Sequence, residues 1–318
     1  MDSRSPAFAE DKLRGNDGRG GAREYGEGEP REIRGGAARR LRVVPGAVPI
    51  PTSSRLLCYP PHLEMAVAEY RLDGRLAVVT GASKGLGKRM AEALAEAGAR
   101  IALVARDQKR LEGVRESIAS RGGKAQAFLA DVTSEADVAA LAEQVRNRAG
   151  VPDILINNAG INLRKPLHEF TLEEWHQVMQ TNLDGPFLCT RAFVPGMIEK
   201  RFGRIINMTS TMSHVSLPGR AAYSASKSGL LGMTKALALE LAPFNITVNG
   251  ISPGPFATEM NTVLIQDPVR NAEFVSKIPL GRWGKVEEIG ALAVFLCSDA
   301  AAFITGTDIL IDGGWTAQ

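Results

Sequence analysis

Tyr223 and Lys227 stand four positions apart in the stretch YSASK, inside an otherwise small-residue run. In a helix that spacing stacks a phenol and an ammonium on one face. Two-residue patterns recur by accident as a surface ion beside a half-buried ring, so the meaning of this pair rests on its context. Far upstream, GASKGLG (81–87) follows the apolar run LAVVT and opens a helical segment. Gly81, Gly85 and Gly87 let the backbone turn tightly and approach a ligand. The amides that begin the next helix suit a pyrophosphate. Ser83, Lys84 and Leu86 complete this loop, whose GxxxGxG spacing is a variant of the dinucleotide fingerprint GxGxxG.

The end of the second apolar run selects the dinucleotide. An acid there would hold the ribose 2′-hydroxyl of NAD, and an arginine would accept the 2′-phosphate of NADP. The run reads IALVARD, which puts Arg106 at the selecting position with Lys84 as a second cation nearby. Arginine pairs bidentately with phosphate, so NADP(H) is expected over NAD(H). Asp107 opposes this if its carboxylate turns inward. GASKG also fits GxSxG, the nucleophile elbow of α/β-hydrolases, with Ser83 as nucleophile. That chemistry needs an acid and then a late histidine, and only His168, His176 and His214 follow. SASK (224–227) fits the SxxK of penicillin-binding enzymes, but KTG and SDN are both missing.

Seven short apolar runs must position these residues: 76–80, 101–105, 125–130, 153–158, 204–210, 246–252 and 308–314. Segments with helical spacing, such as KRMAEALAEAG, lie between them. Strands apolar on both faces that alternate with helices predict an α/β fold. It is a three-layer, doubly wound, parallel seven-stranded sheet of Rossmann type. Ligands in such a sheet sit beyond the carboxyl ends of the strands.

The remaining features bound the function class. The 318-residue chain is 44% hydrophobic with a formal net charge of +3, too little to call for nucleic acid. No apolar run approaches the roughly 18 residues of a membrane span. Cys58, Cys189 and Cys297 are far apart without CxxC spacing. They argue against a disulfide framework and a structural zinc, no metal site is expected, and a reducing cytoplasm fits. Residues 1–64 are rich in Gly, Arg and Glu and end in a Pro-rich stretch, so a disordered extension is expected before a single domain over 65–318. Its acids nearly balance its arginines, against a transit peptide. Met65 is an alternative start of translation.

TGASKGLG (80–87), DVT (131–133), NNAG (157–160), TNLDGPF (181–187), Ser210, YSASK, SPGPFAT (252–258) and the closing DGG together resemble the short-chain dehydrogenase/reductase family over residues 73–314. The resemblance implies catalytic roles for Asn182, Ser210, Tyr223 and Lys227. Tyr223 would be proton donor in reduction and base in oxidation. A free phenol titrates near 10, and Lys227 would supply the positive charge that favours phenolate. Ser210 would polarise the substrate carbonyl, and Asn182 would hold a water leading from the lysine to solvent. The resemblance also implies that Asp131 and Val132 meet the adenine and that Asn158, Ala159 and Gly160 run beside it and its ribose. Thr258 would hold the carboxamide, and Pro253 and Gly254 before it would be further cofactor contacts. A homotetramer or homodimer through the YSASK helix is the implied assembly.

The substrate would be a small-molecule carbonyl or alcohol. NAGINLRKP and PLGRWGKVEEI are similar to gluconate 5-dehydrogenases and related sugar-acid enzymes, with Arg164, Lys165 and Arg220 available to attract a carboxylate. A 3-oxoacyl thioester reductase shares every catalytic motif and is the alternative, and a nucleotide-sensing protein without catalysis is a third reading.

Overall fold

The computed structural model describes residues 70–318; the expectations for the 1–64 extension, Met65 and Cys58 lie outside them. Along the chain run β1 (Leu76–Thr80), α1 (Gly85–Glu96), β2 (Arg100–Ala105), α2 (Gln108–Ser120), β3 (Lys124–Leu129), α3 (Glu135–Arg148), β4 (Ile154–Asn157), α4 (Leu172–Met179), α5 (Gly185–Lys200), β5 (Gly203–Met208), α6 (Ala221–Leu241), β6 (Ile246–Pro253), α7 (Thr262–Gln266), α8 (Pro268–Val275), α9 (Val286–Cys297) and β7 (Asp308–Ile311). The seven strands form one parallel sheet in the order β3-β2-β1-β4-β5-β6-β7. Strand order reverses between β1 and β4, where the carboxyl ends of the two halves diverge and leave a crevice.

The three layers follow from the residues of the central strands. Ala77 and Val79 of β1 pack into one apolar cluster with Met90, Leu94, Leu111, Ile289 and Leu296 of α1, α2 and α9. Leu76 and Val78 pack into a second with Leu141, Phe193, Met197 and Leu241 of α3, α5 and α6. Successive strand residues point to opposite faces, so an uninterrupted apolar strand needs helices on both sides. Each fully buried aliphatic side chain contributes about 1.5–3 kcal/mol. Helix starts are set locally: Asp107 caps α2 and Ser134 caps α3, while Thr171 and Glu174 form a capping box on α4.

Two expectations are corrected at the strand ends. The run 308–314 stops being a strand at Ile311 because Gly313 and Gly314 take φ values of 67° and 87°. The run 204–210 ends at Met208, which leaves Thr209 and Ser210 in the loop beyond β5. The segment 257–283 carries α7 and α8. Among the described residues no helix is long and apolar enough to cross a membrane.

A polar seam crosses the core beneath the crevice. Asn157 donates through Nδ2 to Asn207 Oδ1 (2.9 Å) and Thr190 Oγ1 (3.1 Å), and Asn207 donates to Thr234 Oγ1 (2.9 Å). These buried bonds join β4 and β5 to α5 and α6. Replacing Asn207 with Leu removes two of them, and a loss of about 2 kcal/mol in urea unfolding is expected. An unchanged midpoint would show that the seam does not hold the layers together.

Candidate active site

Thr80, the last residue of β1, organises the crevice through a single hydroxyl. Its Oγ1 donates to the Ile156 carbonyl (3.2 Å) and accepts from the amides of Asn158 (3.0 Å) and Ala159 (3.1 Å). Asn158 returns the contact, donating through Nδ2 to the carbonyls of Thr80 (2.9 Å) and Gly81 (3.2 Å). Asn158 therefore braces the glycine loop from below. A Cβ on Gly87 would fall 2.3 Å from Asn158 Nδ2 and 2.4 Å from the Gly81 carbonyl, and one on Gly81 would fall 2.8 Å from the same Nδ2. Above the loop the situation inverts. Gly85, at φ 56°, has nothing within 4 Å of an added Cβ. A floor closed by Asn158 and an open roof over the first amides of α1 fit a dinucleotide diphosphate. Ser83 is half-buried beside the loop, Lys84 is exposed, and Leu86 packs on the core.

At the β2 and β3 ends, Arg106 donates through Nη1 to Asp131 Oδ2 at 3.2 Å with its side chain 73% exposed. Asp107 points elsewhere: its carboxylate accepts from the Arg110 amide (3.0 Å) and caps α2. Asp131 is not the cap of α3, which is Ser134; it accepts from the Thr133 amide and hydroxyl. These bonds and Arg106 outweigh burial and hold its carboxyl below the usual range. Val132 is buried, and a Cβ on Gly185 would come within 3.0 Å of its Cγ2.

Ser210, Asn182, Tyr223 and Lys227 are brought together beyond β5. Lys227 is on the buried side of α6 with Ala222, Ser226, Leu230 and Thr234. Its Nζ donates to the Met208 carbonyl at 2.6 Å and is 5.8 Å from the centre of the Tyr223 ring. Burial pushes the Lys227 ammonium down to about 8. Asn182 lies in a single π turn, Gln180–Asp184, between α4 and α5. Such turns redirect side chains, and here Asn182 is wholly buried. Its Oδ1 accepts from the Ile161 amide (2.8 Å), and its Nδ2 donates to the Ile161 carbonyl (2.9 Å) and Ser226 Oγ (3.0 Å). Gly160 is seated over both groups: an added Cβ would meet Asn182 Oδ1 at 3.2 Å and Lys227 Nζ at 3.6 Å. Ser210 Oγ accepts from the Met212 amide at 3.1 Å.

Burial raises the Tyr223 phenol above its usual value, and the groups opposing that rise are the Ser210 hydroxyl, Arg220 and Arg164. Lys227 is turned to the Met208 carbonyl and is itself driven toward neutrality by burial. Lys165 pairs with Glu174 at 2.7 Å. Arg164 is exposed and Arg220 half-buried, and neither has an acidic partner within 4 Å among the described residues. Burial and the neighbouring Arg164 charge lower Arg220's proton affinity. On the β6 side a Cβ on Gly254 would fall 2.5 Å from Asp312 Cβ, so Pro253–Gly254 lies tight against the DGG turn; Thr258 follows, half-buried. Sequence reasoning missed Thr80 as the hub of the crevice. Its position, immediately before the first glycine, was the available signal.

A family model described as enoyl-(acyl carrier protein) reductase matches residues 81–316. The 3-oxoacyl-(acyl-carrier-protein) reductase of Aquifex aeolicus is 38% identical over 247 residues, 77% of this chain and 99% of that protein. Gluconate 5-dehydrogenase of Gluconobacter oxydans is 38% identical over 249 residues, 78% of this chain and 97% of the relative. The structure of a gluconate 5-dehydrogenase from Burkholderia cenocepacia, in complex with NADP and tartrate, superposes with a TM-score of 0.77 at 38% identity. It covers 80% of this chain and 99% of that one.

The buried lysine yields a pH signature. Folded Lys227 releases its proton near 8, whereas the unfolded lysine holds it to 10.5. The cost of burying the charge is fully present below pH 8 and disappears as pH rises to 10.5. Relative to Lys227→Met, the protein without added nucleotide should gain about 3 kcal/mol of stability across that window in urea unfolding. A difference that stays flat with pH would mean that the ammonium is solvated.

Proposed function

The chain belongs to the short-chain dehydrogenase/reductase family, and from that premise we propose that it transfers a hydride between NADP(H) and a ketone/secondary-alcohol pair. The observation that carries the reading is the gathering of Ser210, Asn182, Tyr223 and Lys227 at the strand ends beside a glycine loop shaped for a diphosphate. Bound NADP(H) supplies the hydride. The chain's own residues manage position and protons. The Ser210 oxygen is already used as acceptor by the Met212 amide, so its hydroxyl hydrogen is left to donate to the substrate oxygen. Tyr223 gives that oxygen a proton in reduction and takes one in oxidation. Lys227 uses one N–H on Met208, which leaves two for the nicotinamide ribose and the phenol. Both N–H groups of the Asn182 side chain are used and its oxygen already accepts from Ile161, so a relay water falls to its main-chain carbonyl. Pro186, four residues on, has no N–H to offer that carbonyl.

Gly81, Ser83, Lys84, Gly85, Leu86 and Gly87 hold the diphosphate in this reading, while Asp131 and Val132 take the adenine. Ala159 and Gly160 line the ribose side, and Pro253, Gly254 and Thr258 face the carboxamide. Arg106, with Asp107 occupied as a helix cap, favours NADP over NAD. Residues 65–318 act as the catalytic domain. The enzyme works in a reducing cytoplasm as a homotetramer or homodimer. Cys189 and Cys297, both free and buried, support the first part, and Leu239, 80% exposed on α6, supports the second.

A sugar acid of the gluconate/5-ketogluconate type is the favoured substrate. Among the described residues Arg164 and Arg220 lack acidic partners, and they lie near enough to Tyr223 to bias its titration. The Burkholderia cenocepacia relative forms its complex with tartrate, a dicarboxylate, as well as with NADP, which is consistent with anion binding in that protein. The second reading, reduction of a 3-oxoacyl thioester, draws on a relative of equal identity. A steady-state screen of keto-sugar acids against acetoacetyl thioesters with NADPH decides between them. Binding of NADPH with no turnover on any carbonyl would leave the sensor reading.

Tyr223→Phe should bind NADPH normally and lose turnover by about 10³-fold; full turnover would remove the assignment. Arg106→Ala should weaken NADPH binding by about tenfold and leave NADH binding unchanged in parallel fluorescence titrations. Equal or tighter NADH binding by the parent protein would overturn the NADP preference.

A further inference from the structure

Asp308 opens β7, and its carboxylate is enclosed with the side chain only 4% exposed. None of the proposed roles uses it, yet it is densely bonded. Oδ1 accepts from Thr209 Oγ1 (2.6 Å), and Oδ2 accepts from Ser252 Oγ (2.7 Å) and lies 2.6 Å from His214 Nε2. With a carboxylate as acceptor, that histidine nitrogen carries the hydrogen. Thr209 Oγ1 also reaches Ser252 Oγ (3.0 Å) and the Ile251 carbonyl (2.7 Å). Room for the carboxylate is made in the neighbouring strand. A Cβ on Gly250, in the middle of buried β6, would fall 2.2 Å from Asp308 Oδ1.

The partners stand at meaningful places. Thr209 immediately precedes Ser210, the proposed carbonyl donor. Ser252 immediately precedes Pro253–Gly254, which faces the carboxamide. His214 ends the short turn Thr211–Ser213 that Ser210 begins, and its amide bonds back to the Thr211 carbonyl at 3.0 Å. One carboxylate thus grips the Ser210 loop on both sides and ties it to the segment that bounds the carboxamide. A donor must be held within about 0.5 Å to act on a reacting oxygen, and the loop beyond Met208 has no strand pairing to hold it. We propose that Asp308, bridged to His214, is a positioning residue that fixes Ser210 relative to the carboxamide end of the dinucleotide site. The inference rests on the oxidoreductase reading above for its kinetic consequence, but the tether itself is a structural claim with its own readout.

The test compares Asp308→Asn, His214→Leu and His214→Gln with the parent. Asp308→Asn should lower kcat about tenfold while the Kd for NADPH stays within about twofold, because the glycine loop lies across the sheet. His214→Leu should lower kcat in the same direction, and His214→Gln, which keeps a donor, should restore most of it. In hydrogen exchange without substrate, the amides of Ser213, His214 and Val215 should exchange about tenfold faster in Asp308→Asn and His214→Leu. A fall in Tm with unchanged kcat and unchanged exchange of this loop would overturn the proposal and leave Asp308 as a core fastener. If Asp308→Asn does not fold, the two variants of the half-exposed His214 decide by the same readings. A parent protein that turns over no carbonyl compound, with the loop exchange still accelerated in the variants, would sink the oxidoreductase reading and keep the tether.

Discussion

The Lys227 ammonium lies out of water, 2.6 Å from the Met208 carbonyl, and burial drives its proton affinity down to about 8. A charge in that position has few tolerable surroundings. The adjoining groups are arranged accordingly: a strand-end carbonyl accepts from it, Gly160 leaves space above it, and Asn182 with Ser226 forms a satisfied polar wall beside it. The π turn in the chain before α5 follows from the same requirement, since it turns Asn182 inward. Tyr223 sits under the same desolvation, and its phenol rises. Burial thus pushes the two groups apart in proton affinity, the ammonium down and the phenol up, which separates their roles in handling the proton.

The crevice depends on a second set of constraints with no charge in it. Thr80 and Asn158 lock the glycine loop to the end of β4 through five hydrogen bonds. Glycine is required at 81 and 87 because Asn158 fills the space below, and at 85 because of the backbone turn. The same motif thus contains glycines of two kinds, those that make room for the protein's own strut and one that leaves the ligand side open. Reversal of strand order next to β1 then places this loop and the Tyr223–Lys227 pair on either side of one opening.

On the far wing a carboxylate plays the part that Asn158 plays near the loop. Asp308 gathers hydroxyls and an imidazole from three segments that have no strand pairing with one another at those points. Both devices set a small polar group from one strand end against the backbone or hydroxyls of the next. A parallel sheet leaves its carboxyl ends irregular, so loops that must hold chemistry in place need such cross-ties.

Much of this was legible in the chain itself. Apolar runs at strand length, separated by helical spacing, determine a parallel sheet covered on both faces, because burial acts on each residue's side chain wherever the fold places it. The glycine loop and YSASK could be read for the same reason, since their spacing acts within one turn of backbone. Other features escaped because they join residues far apart in sequence. Lys165 read as a free cation until Glu174 was found against it, and Arg106 until Asp131 was. Burial, which raises the Tyr223 phenol and lowers the Lys227 ammonium, exists only after α6 packs on β5. Thr209 and Asp308 carry no motif at all, and Thr80 opens TGASKGLG without a role that local spacing reveals. Local spacing decided which elements form and which residues face the crevice; desolvation and long-range pairing, which need the whole fold, decided how strongly each of them holds a proton.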